Sequence, residues 1–239
     1  MSANLQVAVL GCALWNSPQG ARPQPSILPA NERRRAPDTV AVALQVAQAA
    51  CLNAGRDPAQ LATVFASTYG DLAITDYMCS TLAQAPTTLS PTRFHNSVHN
   101  AAAGYWTIAT GCRQPYCALG AGDYTFAAGL FAAALQVCAD QTDVLYVAYD
   151  TETRGVQAQL ARSRGVLGVA LVLGVTGPAD GAALELEVSS QAAAGRTPGT
   201  NAMAACLPLI AAIEDRQSQV LCLPFGPDSS LRLQVRHGL

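Results

Sequence analysis

Two histidines four residues apart, His95 and His99, and an aspartate at a glycine-rich turn, Asp123, are the side chains of this sequence best suited by type to move protons. The histidines can share one helical face if the helix that holds them starts early enough, and with Asp123 they form a candidate acid–base cluster. Asn96 and Asn100 flank them at the same spacing, and the run HNSVHN equally suits capping and anchoring of a helix at a subunit contact. Asp123 itself reads in two compatible ways. It is a candidate general base, and it is a candidate helix N-cap that accepts from the amides of Thr125 or Phe126 at the positive end of the helix dipole. Cys112 and Cys117 lie near the same turn. Cys117 falls mid-strand, and it reads as a buried, inert thiol rather than as a nucleophile. Asp150, Glu152 and Arg154 follow a strand end, where α/β proteins place function, and they read equally as a solvated loop.

Several chemistries find no support. There is no CxxC pair, and no histidine pair stands near Cys112 and Cys117, so no zinc site is expected. A metal at His95 and His99 has no carboxylate partner in sequence, although Asp71 or Asp76 could approach; the expected metal set is empty. Gly120 and Gly122 lack the third glycine of a dinucleotide fingerprint, and Asp123 would repel a pyrophosphate, so no nucleotide cofactor is expected. The net charge of −2 gives no reason to expect nucleic acid as a partner, and the basic run Arg33, Arg34 and Arg35 reads as a solvated face.

The elements that would position these residues follow from apolar periodicity. Strands are expected over residues 5–14, 62–67, 116–119, 143–149, 165–175, 184–189, 219–223 and 231–235. Helices are expected from Asp38 to about residue 54, and over 71–82, 96–110, 123–139 and 201–215. Gly111 suits the C-cap of the 96–110 helix. The 123–139 helix has almost no polar face until its end and is expected to be buried on all sides. Residues 16–37, rich in Pro, Asn and Arg, read as a long loop. Strands alternating with helices imply a mainly parallel sheet with helices on both faces.

Half of the 239 residues are hydrophobic and 13% are charged, low against about a quarter in an average domain. That balance suits close helix–sheet packing and a large buried subunit interface. Residues 1–4 carry no charged leader and the first apolar run is short, so no signal peptide is expected. No apolar run reaches the length of a membrane helix. A cytoplasmic protein with eight free thiols is the expectation.

The segment SPTRFHNSVHNAAAGYWTIATGCRQPYCALGAGDYTFAAGL, residues 90–130, resembles the active-site region of β-ketoacyl synthases, which have a thiolase-like fold. FHNSVHNAAAGYWTIATG resembles the helix before their nucleophile strand. Gln114-Pro115 stands where they usually carry Gly-Pro, and DVLYVAYD, residues 143–150, resembles the strand that follows. Asp123 then aligns with the acyl-accepting cysteine. The resemblance implies a mixed five-stranded sheet with helices on both faces over residues 1–176, followed by a short β-α-β-β appendix over 177–239, together forming one domain. It implies a pseudo-nucleophile at Asp123 and no catalytic residue, since a carboxylate is a poor nucleophile toward a thioester. The catalytic histidines of synthases belong to a second thiolase half, and the chain is expected to end before it.

The segment is most similar to the short, chain-length-factor-like proteins of type II polyketide clusters that make aryl polyenes such as xanthomonadin. That similarity implies a non-catalytic subunit paired with an active ketosynthase and working on acyl carrier protein, as a heterodimer more readily than a homodimer. Interface and binding residues would be Phe94, His95, Asn96, His99, Asn100, Tyr105, Trp106, Tyr124 and Phe126. Two alternatives stay open: a stand-alone acyl-thioester hydrolase or acyltransferase using His95, His99 and Asp123, and a homodimer that binds acyl chains.

Overall fold

A computed structural model describes residues 4–17, 21–153, 157–158, 161, 163–179, 181–193 and 199–238. In chain order the elements are β1 (Asn4–Ser17), α1 (Ala30–Arg35), α2 (Asp38–Ala54), β2 (Ala62–Ala66), α3 (Leu72–Gln84), α4 (Pro91–Asn96), α5 (Ala101–Thr110), β3 (Tyr116–Leu119), α6 (Thr125–Asp140), β4 (Val144–Asp150), β5 (Val166–Gly174), β6 (Ala182–Ser189), α7 (Leu207–Glu214), β7 (Gln219–Gly226) and β8 (Ser229–His237).

All eight strands join one sheet in the order β3-β2-β4-β5-β1-β6-β8-β7. The sheet is therefore larger than the expected five strands. Strands β6, β8 and β7 hydrogen-bond onward from β1 and continue the sheet rather than standing apart as an appendix. It is also less parallel than strand–helix alternation implied. β2 pairs parallel with β3 and β4, and every other pairing is antiparallel. The reason lies in the connections: parallel neighbours need a crossover helix, which α5 and α6 supply around β2, β3 and β4, whereas β7 and β8 are joined by a tight hairpin.

β4 and β5 are buried along their whole length because helices cover both faces of the sheet. Side-chain alternation divides the core in two. Leu145, Val147 and Tyr149 meet Val42, Leu44, Val46 and Trp106 from α2 and α5. Tyr146 and Ala148 meet Leu130, Ala134 and Val137 of α6, with Leu209 of α7 and Leu184 and Leu233 of the sheet extension in the same cluster. Gly129 lets α6 lie this close: a Cβ there would fall 2.6 Å from Tyr146 Cε2 and 2.9 Å from Ala66 Cβ. Phe131 packs edge-on against Phe225, 5.3 Å between centroids, so β7 bends over α6. The cover is partial, because Leu135 of α6 stays exposed, against the expectation of burial on all sides.

Three helix expectations need correction. The helix expected over 96–110 starts later, at Ala101, and a separate helix, α4, ends at Asn96 before it. Helix α6 begins at Thr125 after a 3-10 turn, Gly122–Tyr124, and α7 begins at Leu207 after a 3-10 turn, Ala204–Cys206. The loop after β1 contains α1. Among the described residues no helix is long and apolar enough to cross a membrane.

Candidate functional site

The C-terminal ends of the parallel strands β2, β3 and β4 meet at one place, and the β3–α6 turn closes it. Asp123 is exposed on the 3-10 turn between β3 and α6. Thr125, not Asp123, staples this turn: its hydroxyl accepts from Ala121 N at 2.9 Å and donates to the Gly122 carbonyl at 2.7 Å. The N-cap residue of α6 is Tyr124, with no side-chain cap, so the capping role expected of Asp123 is not the one this turn uses.

Beside the turn sits a carboxylate in a very different setting. Asp150 ends β4 and is 1% exposed, so the solvated-loop reading of this position is corrected. It accepts from Ser67 Oγ at 2.9 Å, Thr68 N at 3.0 Å and Tyr69 N at 3.3 Å. Burial pushes its carboxyl up to about 6, against the opposing pull of those donors. Its own backbone carbonyl accepts from Asn201 Nδ2 at 3.2 Å. Glu152 is exposed, and Arg154 lies outside the described residues.

The histidines do not act as a pair. Because α4 stops at Asn96, His95 and His99 do not share a helical face. His95 leans on Tyr105, 6.1 Å between ring centroids. His99 Nε2 donates to the Ser67 carbonyl at 2.9 Å. Asn100 Nδ2 donates to Tyr116 Oη at 3.0 Å. Among the described residues no group of three or more His, Cys, Asp or Glu is placed to hold a metal ion. Asp71 is committed elsewhere, accepting from Ile74 N as the N-cap of α3 and from Thr39 Oγ1.

Around this centre the surface is apolar. Helix α3 has no buried residue, and it packs chiefly on α4 and on the 3-10 turn Pro86–Thr88. Leu82, Phe94 and Val98 are 52, 55 and 48% exposed. Strand β3 is a sheet edge, paired with β2 alone, and Tyr116 and Cys117 on it are exposed. The expected buried thiol at Cys117 is thus corrected, because this strand lies at the sheet edge and Cys117 is exposed there. Three expected interface residues are also reassigned. Trp106 is fully buried, and Phe126 and Asn96 are buried as well, so they serve the interior of this chain. On the other side of the turn, an open cleft of about 640 Å³ runs between Asp123, Tyr124 and Phe126 and the β7–β8 hairpin at Leu223, Pro224 and Gly226.

The model for the β-ketoacyl synthase N-terminal domain matches residues 12–223 of the chain. The chain belongs to this family. By sequence no curated protein matches it. Among solved structures it is similar to a chain of the ketosynthase (ApeO) in complex with its chain length factor (ApeC) from Xenorhabdus doucetiae, with 20% identity and a TM-score of 0.72 over 97% of each chain. It is similar to a chain of the ishigamide ketosynthase/chain length factor, with 15% identity and a TM-score of 0.69 over 98% of this chain and 99% of that one. It is also similar to a chain of the AntDE:AntF assembly, a type II acyl carrier protein in complex with its ketosynthase, with 9% identity and a TM-score of 0.78 over 98% of this chain and 100% of that one. At these identities the likeness is one of fold.

In this β-ketoacyl synthase family chain, the sequence points correctly to the strand–turn–helix at Asp123. What sequence reasoning missed is Ser67, and with it the buried setting of the Asp150 it marks at a strand end. Its one signal is an acid closing the apolar run VLYVAYD, and that signal does not reveal which turn will donate to it.

Proposed function

We propose that this protein is a non-catalytic, chain-length-factor-like subunit that pairs with an active ketosynthase. It works in the cytoplasm on chains held by acyl carrier protein, in polyketide synthesis of the aryl polyene type. The observation that carries the reading is Asp123, exposed on the strand-to-helix turn of a ketosynthase-family chain, at the position where its sequence resembles the nucleophile segment of synthases. A carboxylate there attacks thioesters poorly, and the anhydride it would form hydrolyses. Pairing is supported by the uncovered α3–α4 hairpin beside the open β3 edge. A short helix pair whose one buried residue is Asn96 gains stability from a partner's surface, and an open edge strand is a ready pairing site. Phe94, His95, His99, Asn100, Tyr105 and Tyr124 are the proposed partner-facing or chain-facing residues. The whole chain is proposed to be one domain, since its two expected parts share a sheet.

A stand-alone hydrolase is disfavoured. His99 uses Nε2 on a backbone carbonyl and His95 lies against Tyr105, so the two histidines are engaged apart from each other rather than as one acid–base pair. The test is co-expression with a candidate ketosynthase and carrier protein from the same gene neighbourhood. A stable one-to-one complex whose elongation activity needs both subunits supports the reading. A chain that never co-purifies with the ketosynthase, or that turns over acyl thioesters by itself, overturns it.

A further inference from the structure

The α3–α4 hairpin stands off the body, yet something fixes its direction. It leaves the body after β2 through residues 67–70 and returns at His99. Both arms converge on one buried residue. On the outgoing arm Ser67 Oγ accepts from Gly70 N at 2.9 Å, and on the returning arm the Ser67 carbonyl accepts from His99 Nε2 at 2.9 Å. Ser67 is in turn held from below, since its hydroxyl donates to Asp150 Oδ1 while Thr68 N and Tyr69 N donate to the same carboxylate. Gly120 at the end of β3 leaves the room this needs. A Cβ there would fall 3.0 Å from the Ser67 carbonyl oxygen and 3.3 Å from His99 Nε2. Farther along the outgoing arm Thr39 Oγ1 donates to Asp71, the N-cap of α3.

We propose that Ser67, Asp150 and His99 form a clasp that fixes the α3–α4 hairpin on the body and so sets the surface offered to a second subunit. The proposal rests on the pairing reading above, and the three residues are positioning residues. A 13-residue helix is about 20 Å long, so a tilt of about 10° at its root moves the far end about 3 Å, enough to disturb a packed interface. Since α3 buries no residue of its own, the hydrogen bonds at the root carry an unusual share of its orientation.

The test compares His99→Ala with His99→Gln in the full-length chain. His99 is exposed, so truncation spares the core, and the glutamine amide can still donate to the Ser67 carbonyl. Hydrogen–deuterium exchange is measured over residues 68–84 in the chain alone, and affinity is measured for the ketosynthase used above. For His99→Ala the expected result is about tenfold faster exchange at the hairpin root and about tenfold weaker pairing, with His99→Gln close to wild type in both. Unchanged exchange in His99→Ala, or a glutamine variant as loose as the alanine one, overturns the clasp. Faster exchange with unaltered pairing overturns its role in presenting the surface. If the wild-type chain pairs with no ketosynthase while the exchange pattern is found, the clasp stands and the pairing reading fails.

Discussion

Removing the charge on Asp150 separates two opposing effects. Three donors favour the carboxylate, and burial at 1% exposure disfavours it; burial wins, moving the carboxyl from its ordinary 3.8 to about 6. The folded protein therefore holds a proton that the unfolded chain has already released between about pH 4 and pH 6. The stability this group contributes is fully present below about pH 4 and is lost as the pH rises through 6. A shift of about two units at 1.36 kcal/mol each amounts to about 3 kcal/mol. Asp150→Asn removes the titration. Its amide nitrogen faces the same donors as the carboxylate, a cost that does not vary with pH. Urea unfolding of both proteins from pH 4 to 7.5, followed by the fluorescence of Trp15 and Trp106, gives the difference between them and cancels the other titrating groups. The wild type should lose about 2.4 kcal/mol relative to the variant across that range, most of it between pH 4 and 6.5. A flat difference, or wild type gaining on the variant as pH rises, would show that the donors outweigh burial and would refute the reasoning.

Three further outcomes are expected. Iodoacetamide at pH 8 should label Cys79, Cys117 and Cys222 quickly in the native chain, while Cys51 and Cys206, buried and pushed up to about 12, react only after unfolding; peptide mass mapping reads this directly. In complex with a ketosynthase, Cys79 and Cys117 should become protected while Cys222, on the far edge of the sheet, stays reactive. Gly129→Val forces a branched side chain into the Tyr146 ring and should cost at least about 1–3 kcal/mol, visible as a lowered Tm. Asp123→Cys should give a thiol that alkylates readily but no condensation by the chain alone, because His99 Nε2 is held on the Ser67 carbonyl and His95 lies against Tyr105; condensation by that variant without a partner would overturn the non-catalytic reading.

Much of the layered core was legible because burial on both faces leaves continuous apolar runs, as in VLYVAYD and VLGVALVLG. The sheet extension was not. The strands β6, β7 and β8 alternate apolar with polar residues, which marks strands but not the sheet they join. Glu185 and Glu187 reach Arg236 and Arg232 across a pair that the sequence cannot specify. Trp106, open between core and interface, and Cys117, expected to be buried, depended on the same thing. An aromatic on a small-residue helix and a thiol in a short strand are buried or exposed according to what lies over them. Here Trp106 is covered within the α2–α5 core, while Cys117 is left exposed on the edge strand.

The sequence by itself determined the element types, the family segment at residues 90–130 and the aspartate standing at its turn, since these depend on local pattern and spacing. Tertiary structure alone decided that Asp150 is buried against the Ser67 turn, that His95 and His99 part company and that both arms of the hairpin hydrogen-bond to Ser67. Each of these joins residues far apart in the chain, some of them more than eighty positions apart. Their chemistry is set by burial and by donors that only the folded backbone brings within hydrogen-bond reach.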